Sequence, residues 1–144
     1  MKLNIWDVAL FFAVVAAIIG CFLPWGKLNP SPYDPSQDVR VGTWLFPGIY
    51  TSASLVFATI FQLVLMIKKK PYVILAVLAT TLVASFVTGT WILHPTAREY
   101  GLGGTYTVLY GAYITLVSSL VASAMAFPYF VTLTKGYSSP SKPE

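Results

Sequence analysis

Few side chains in this sequence are equipped for chemistry. There is one histidine, His94, one cysteine, Cys21, and five acidic residues at Asp7, Asp34, Asp38, Glu99 and Glu144. A structural zinc or haem site needs several Cys, His or carboxylate ligands brought together. His94 has no Cys or His companion at such a spacing; service as a single axial haem ligand at an interface is the alternative use. A hydrolytic triad would have to combine His94 with Asp34, Asp38 or Glu99, and no G-x-S-x-G turn is present to expose a nucleophile. The string GLGG at 101–104 lacks the strand and helix that frame a nucleotide-binding loop. It reads as the turn that starts the last apolar run. Arg98 and Glu99 read as a solvated pair of little energetic weight. Neither an enzymatic activity nor a cofactor is expected.

Three residues call for a decision because their surroundings are apolar. Asp7 lies in the first turn of the first apolar run, beside Trp6. A negative charge there suits a helix start or faces headgroup water; a part in proton or cation entry is the alternative. Gln62 follows Ser54 and Ala58 at four-residue spacing, which suits a hydrogen bond to a neighbouring helix, with a pore-lining or ligand role as the other reading. Cys21, being alone, cannot form an internal disulfide and packs as a small apolar side chain. It ends the tetrapeptide IIGC, which resembles a lipoprotein box. Asp7, the length of the apolar run and the apolar FLP after the cysteine all count against processing there.

The elements that position these residues follow from composition. Of 144 residues 56% are hydrophobic and 10% charged, and mean hydropathy is +0.71. Soluble domains carry about 25% charged residues, so water is not the main solvent. Four apolar runs, at 5–24, 48–67, 71–93 and 106–127, each have the roughly 20 residues that cross a hydrocarbon core. No run alternates in polarity as a membrane strand would. The expected fold class is all-α, a polytopic bundle of four transmembrane helices with short loops, in one domain over 1–131. Loops fall at 25–47 and 94–105, and the polar, Ser- and Pro-rich segment 132–144 is expected to be a disordered tail.

Charge sets the orientation. With spans two and three joined on the inside, the inner segments hold Lys2, Lys68, Lys69, Lys70, Lys135 and Lys142, and the outer ones hold Lys27, Arg40 and Arg98. Positive residues concentrate on the cytoplasmic side, so both termini are expected there, in a multi-pass protein of the cell membrane. Without a basic stripe interleaved with aromatics, no nucleic-acid partner is expected. Trp25, Trp44 and Trp91 then fall at the outer interface and Trp6 at the inner one, where an amphipathic ring is best placed. Between Trp25 and Trp44 lies NPSPYDP, whose prolines favour extended or turned backbone. This loop, with Trp25, Tyr33, Trp44 and Trp91, is the expected interaction surface.

Small residues mark the packing faces. Span four carries Gly111, Thr115, Ser119 and Ser123 at four-residue intervals, span three carries Ala76, Thr80, Ala84 and Thr88, and span one carries Ala16 and Gly20. Lipid provides no hydrophobic drive between helices, so close backbone approach and hydroxyl bonds must associate them.

LPW closing span one, a second tryptophan in the first loop and GTYTVLYGAY opening span four resemble two groups. One is the claudin-like tetraspan proteins, whose first loop is longer, stranded and carries paired cysteines; this loop has none. The other is a set of small four-helix membrane proteins of bacteria and archaea with the same LPW exit. Both resemblances imply the architecture, and the second implies no activity. The expected function is therefore non-enzymatic: an accessory or structural subunit of a membrane complex, or a self-assembling tetraspan component. Its partners would be the lipid bilayer and other membrane subunits or further copies of itself. The alternative is a small oligomeric channel or transporter lined by the Ser/Thr faces of spans three and four.

Overall fold

The computed structural model describes residues 4–29, 39–95 and 105–138. Along them run α1 (Ile5–Phe22), β1 (Pro24–Leu28), β2 (Val39–Val41), a 3-10 turn (Gly42–Trp44), α2 (Phe46–Lys68), α3 (Pro71–Leu93), β3 (Tyr106–Val108) and α4 (Tyr110–Ser138). All four helices are long and apolar enough to cross a membrane. They stand in a ring in which α1 packs on α2, α2 on α3, α3 on α4, and α4 on α1 again.

Side-chain size sorts the two faces of each helix. Large apolar groups point outward, among them Phe12, Phe57, Phe86 and Phe127, each more than half exposed. Small and hydroxylated residues point inward, including Ala17, Ala84, Ala112, Thr115, Ser119, Ala122, Ser123 and Ala126. Hydrocarbon favours this arrangement, because helices gain there by approaching closely rather than by hiding bulk. Gly20 sits so close to Thr115 of α4 that a Cβ would run into its backbone and hydroxyl. At Gly111 a Cβ would lie 2.6 Å from the Pro24 carbonyl oxygen and 2.9 Å from Leu23. On α3 the buried face is Val77, Thr81, Ala84, Ser85 and Thr88. The expected stripe through Ala76 and Thr80 is offset from it: both are half-buried, as is Ala16 on α1.

Hydroxyls cross the interfaces that these faces create. Thr51 Oγ1 of α2 lies 3.2 Å from Thr88 Oγ1 of α3. Between α3 and α4, Ser85 Oγ lies 2.9 Å from Ser119 Oγ, and Ser123 Oγ 2.9 Å from Thr81 Oγ1. Thr115 Oγ1 reaches the Ala17 carbonyl of α1 at 3.4 Å. Each such bond contributes about 0.6 kcal/mol in a membrane bundle, so the interior is held by several weak contacts.

The four-helix bundle stands, and its connections add a small sheet to it. Strands β2, β1 and β3 form one antiparallel sheet in that order. Residues 24–28 and 39–41, expected in the first loop and at the edge of span one, and 106–108, expected to begin span four, are its strands. The reason they escape a sequence reading is physical. β2 and β3 are three residues long, too short to display a period of two. In β1 a bulge between Pro24 and Gly26 places Trp25 and Gly26 both in the interior. Beyond the ladder, Asn29 clasps the opposite connection, donating through Nδ2 to Thr105 Oγ1 at 3.1 Å and accepting from Thr107 Oγ1 at 2.7 Å.

The last helix also outruns its expected span. α4 continues through Pro128 to Ser138, so part of the segment 132–144 expected as a disordered tail is helical. Proline removes one backbone donor, yet the turns beyond it carry hydroxyl support: Thr132 Oγ1 donates to the Pro128 carbonyl at 2.8 Å and Thr134 Oγ1 to the Phe130 carbonyl at 3.1 Å. Residues 139–144 lie outside the described residues.

Gly111→Leu and Ser119→Leu should each lower stability by about 1–3 kcal/mol, the usual cost of forcing bulk into a packed interior. Val117→Leu, on the exposed face of α4, should change it by less than about 0.5 kcal/mol. Thermal unfolding of the purified protein in mild detergent reads the difference, and equal tolerance at all three positions would remove the case for a specific packing face.

Candidate functional site

The most polar constellation in the bundle forms at the end where α1 begins and α2 turns into α3. Two features of local folding create it. Asn4 precedes α1, and the Asp7 carboxylate returns to accept the Asn4 backbone N–H at 2.9 Å, satisfying a donor that the helix start would otherwise leave open. At the turn, Lys69 adopts a left-handed conformation with φ 48° and ψ 38°, and its N–H bonds the Leu65 carbonyl at 2.8 Å. Glycine is the usual residue there, since a Cβ is strained. Pro71 then opens α3 with a φ already suited to a first helical turn.

These two placements bring Lys69 onto Asp7. The Lys69 ammonium forms an ion pair with Asp7 Oδ2. Tyr129 of α4 donates its hydroxyl to Asp7 Oδ1 at 2.5 Å, and Lys69 Nζ lies 3.3 Å from the Tyr129 oxygen. Gln62 of α2 donates through Nε2 to the Asp7 main-chain carbonyl at 3.1 Å. Asp7, Gln62 and Tyr129 are each 1% exposed, whereas a third of the Lys69 side chain remains at the surface. Within the described residues Gln62 Oε1 has no hydrogen-bond partner. Chemically this is a carboxylate with a donor from every direction, an electrostatic clasp that joins α1, the α2–α3 turn and α4.

Asp7 thus does cap its helix but does not face headgroup water; it is buried. Sequence reasoning placed Asp7 and the lysines at the same end of the bundle and did not pair them. That shared depth was the available signal. Lys68 is exposed and Lys69 and Lys70 half-buried; of the three lysines expected as a topology signal, Lys69 is the one that pairs with Asp7.

At the opposite, sheet end the structure redistributes the expected interaction residues. Trp25 is fully buried, its Nε1 donating to the Gly20 carbonyl at 2.9 Å. Trp91 is 5% exposed and stacks between Trp25 and Tyr106, with ring centroids 5.5 and 6.1 Å away. These two tryptophans are core, not interface anchors: the sheet folds back over the helix ends and covers them. Gly42 permits the cover, since a Cβ there would lie 2.5 Å from the Trp25 ring. Trp44 keeps the expected exposure, at 65%. Tyr33 lies outside the described residues. His94 ends α3 and is exposed, and among the described residues no three of His, Cys, Asp and Glu come together.

Removing one partner from a buried pair is costly because the other is left uncompensated. Asp7→Ala, which leaves the Asn4 N–H and the Tyr129 hydroxyl without their acceptor, should therefore lower stability by about 2–3 kcal/mol, and Lys69→Met, which leaves the buried Asp7 carboxylate without its cation, should cost about as much. The double variant should be less destabilised than the sum, by about 1 kcal/mol. Additive losses in a thermal or denaturant series would show that the two side chains are not coupled.

No protein-family model, curated protein or solved structure matches this chain.

Proposed function

We propose that the chain is a non-enzymatic integral membrane protein that works by contact, as an accessory or structural subunit of a membrane complex or as a self-assembling component. The observation that carries this reading is where its interior polar groups go. Asp7 meets Lys69 and Tyr129; Thr51 meets Thr88; Ser85 meets Ser119; Thr81 meets Ser123. Groups that bond one another inside a bundle hold helices together and are not turned toward a substrate. The rival reading, a pore lined by the hydroxyl faces of α3 and α4, needs those hydroxyls turned to water, and this pairing weighs against it. Contact surface, in turn, is abundant at the sheet end, where Trp44, Phe46, Tyr50 and Tyr110 are each more than half exposed. Aromatic side chains are enriched at protein interfaces.

The same reading places the protein in the cell membrane with both termini cytoplasmic, on the concentration of lysine at the α2–α3 turn. Its partners are bilayer lipid and other membrane subunits or further copies of this chain, with no nucleic acid.

Orientation is tested by single-cysteine labelling in a Cys21→Ala background. A membrane-impermeant maleimide added to intact cells should modify Val39→Cys, and Ser139→Cys should react only after the membrane is opened; the reverse pattern overturns the orientation.

Function is tested by reconstitution and by pull-down. Purified protein in liposomes should pass no ions or small solutes, while Trp44→Ser should weaken co-purification or self-association in samples that remain folded. A reproducible flux from the purified protein alone, altered by Gln62→Ala in a folded sample, would overturn the contact reading in favour of a channel.

A further inference from the structure

Charge in this chain is not shared between the two ends of the bundle. Lys27, Arg40 and Arg98 belong to the segments around the sheet, and Asp34, Asp38 and Glu99 of the same segments match them one for one. The net charge of +4 therefore belongs to the opposite end, where Lys2, Lys68, Lys69, Lys70, Lys135 and Lys142 are set against Asp7 and Glu144 alone.

Folding sharpens the imbalance. Asp7 is the one acidic side chain among the described residues. It is 1% exposed and compensated by Lys69, so it offsets nothing at the surface. Lys68, in the last turn of α2, and Lys135, in the last turn of α4, are both exposed. They end on the same side of the bundle, because Lys69 of the α2–α3 turn and Tyr129 of α4 reach one Asp7 carboxylate. Among the described residues, the exposed charge of this end is positive throughout.

Depth decides what meets it. Ile67 and Tyr72 flank the three lysines and are each more than half exposed, on helices long and apolar enough to cross a membrane. Exposed apolar bulk beside an exposed ammonium marks the level where hydrocarbon gives way to headgroups. A lysine there lays its stem along the one and its charge in the other.

We propose that this end is a docking surface for anionic phospholipid, the Lys68 and Lys135 ammonium groups meeting the phosphodiester oxygens of its headgroups. Charge complementarity selects the partner, since a zwitterionic headgroup brings a cation of its own and gains less from two lysines. The proposal deepens the lipid partnership and rests on the membrane reading. It is independent of orientation and of the choice between contact and channel.

The test uses the full chain in maltoside micelles, titrated separately with phosphatidylglycerol and phosphatidylcholine and read by native mass spectrometry. Phosphatidylglycerol should bind the more tightly, and less so as ammonium acetate is raised. Lys68→Gln and Lys135→Gln should each weaken it about fivefold and together about twenty-five-fold, the worth of one and of two cations beside an anionic surface. Both positions are exposed, so the variants keep their fold. Lys27→Gln, at the sheet end, should bind phosphatidylglycerol as the unaltered protein does. An unchanged affinity in the double variant, or an equal loss in Lys27→Gln, would overturn the proposal. Displacement of the lipid by equimolar inorganic phosphate would assign the lysines to a soluble anion and overturn it as well. Equal affinity for the two lipids would remove the proposal alone, whereas binding of neither would remove the membrane reading with it.

Discussion

In hydrocarbon a polar group has only the protein to bond with, and leaving it unbonded costs several kcal/mol. That constraint organises this bundle from one end to the other. Backbone groups meet it by forming four helices, and the interior hydroxyls meet it by lying within reach of two acceptors each. Ser85, Thr115 and Ser123 each bond a carbonyl one turn back in their own helix and also reach a neighbouring helix. Local bonding holds these side chains in place whether or not the partner helix has docked, so little rotamer freedom is lost when it does. Small residues and hydroxyls are thus two parts of one solution, since the hydroxyls can meet only where Gly20, Ala84 and Ala112 let the helices approach.

The same constraint explains the placement of charge. Asp7 lies in the first turn of α1, buried away from solvent, and is tolerable because Asn4, Lys69 and Tyr129 all donate to it. Lys69, for its part, sits in a left-handed turn that disfavours a side chain. Glycine would relieve the backbone but remove the ammonium, so the strained lysine is the compromise that serves both requirements. A single ion pair then fixes the turn conformation, the depth of α1 and the approach of α4.

Legibility follows from what each feature writes into neighbouring positions. The helices were legible because roughly 20 apolar residues in a row leave few alternatives, and the α2–α3 turn because KKKP is short, basic and closed by proline. Gly20, Gly111, Thr115, Ser119 and Ser123 were legible because small residues repeat at helical spacing. The sheet was not, because a bulge erased alternation in β1 and its partners are too short to have any. Trp25 and Trp91 were misplaced for a different reason. Tryptophan near a helix end usually marks the membrane interface, and only the unforeseen sheet converts that level into core. The pairing of Asp7 with Lys69 spans 62 positions, and nothing local records it.

Both ends of α1 are tied, and by different physics. At the lysine end the tie is charge and hydrogen bonding to a carboxylate. At the sheet end the chain leaves α1 directly into β1, which pairs on one side with the strand leading to α2 and on the other with the strand leading to α4. Leu109 N–H bonds the Trp25 carbonyl at 2.7 Å and Gly42 N–H the Leu23 carbonyl at 3.3 Å, so main-chain bonds hold the exit of α1 to the segments that start α2 and α4. Between these ties α1 meets α4 through Gly20, Ala17 and Thr115, a contact of close approach rather than of strong bonds. A helix fixed at both ends and packed by small groups between them cannot slide along its axis without breaking either the ion pair or the sheet. The register of the whole bundle therefore rests on its two ends, and the mid-membrane contacts follow from it.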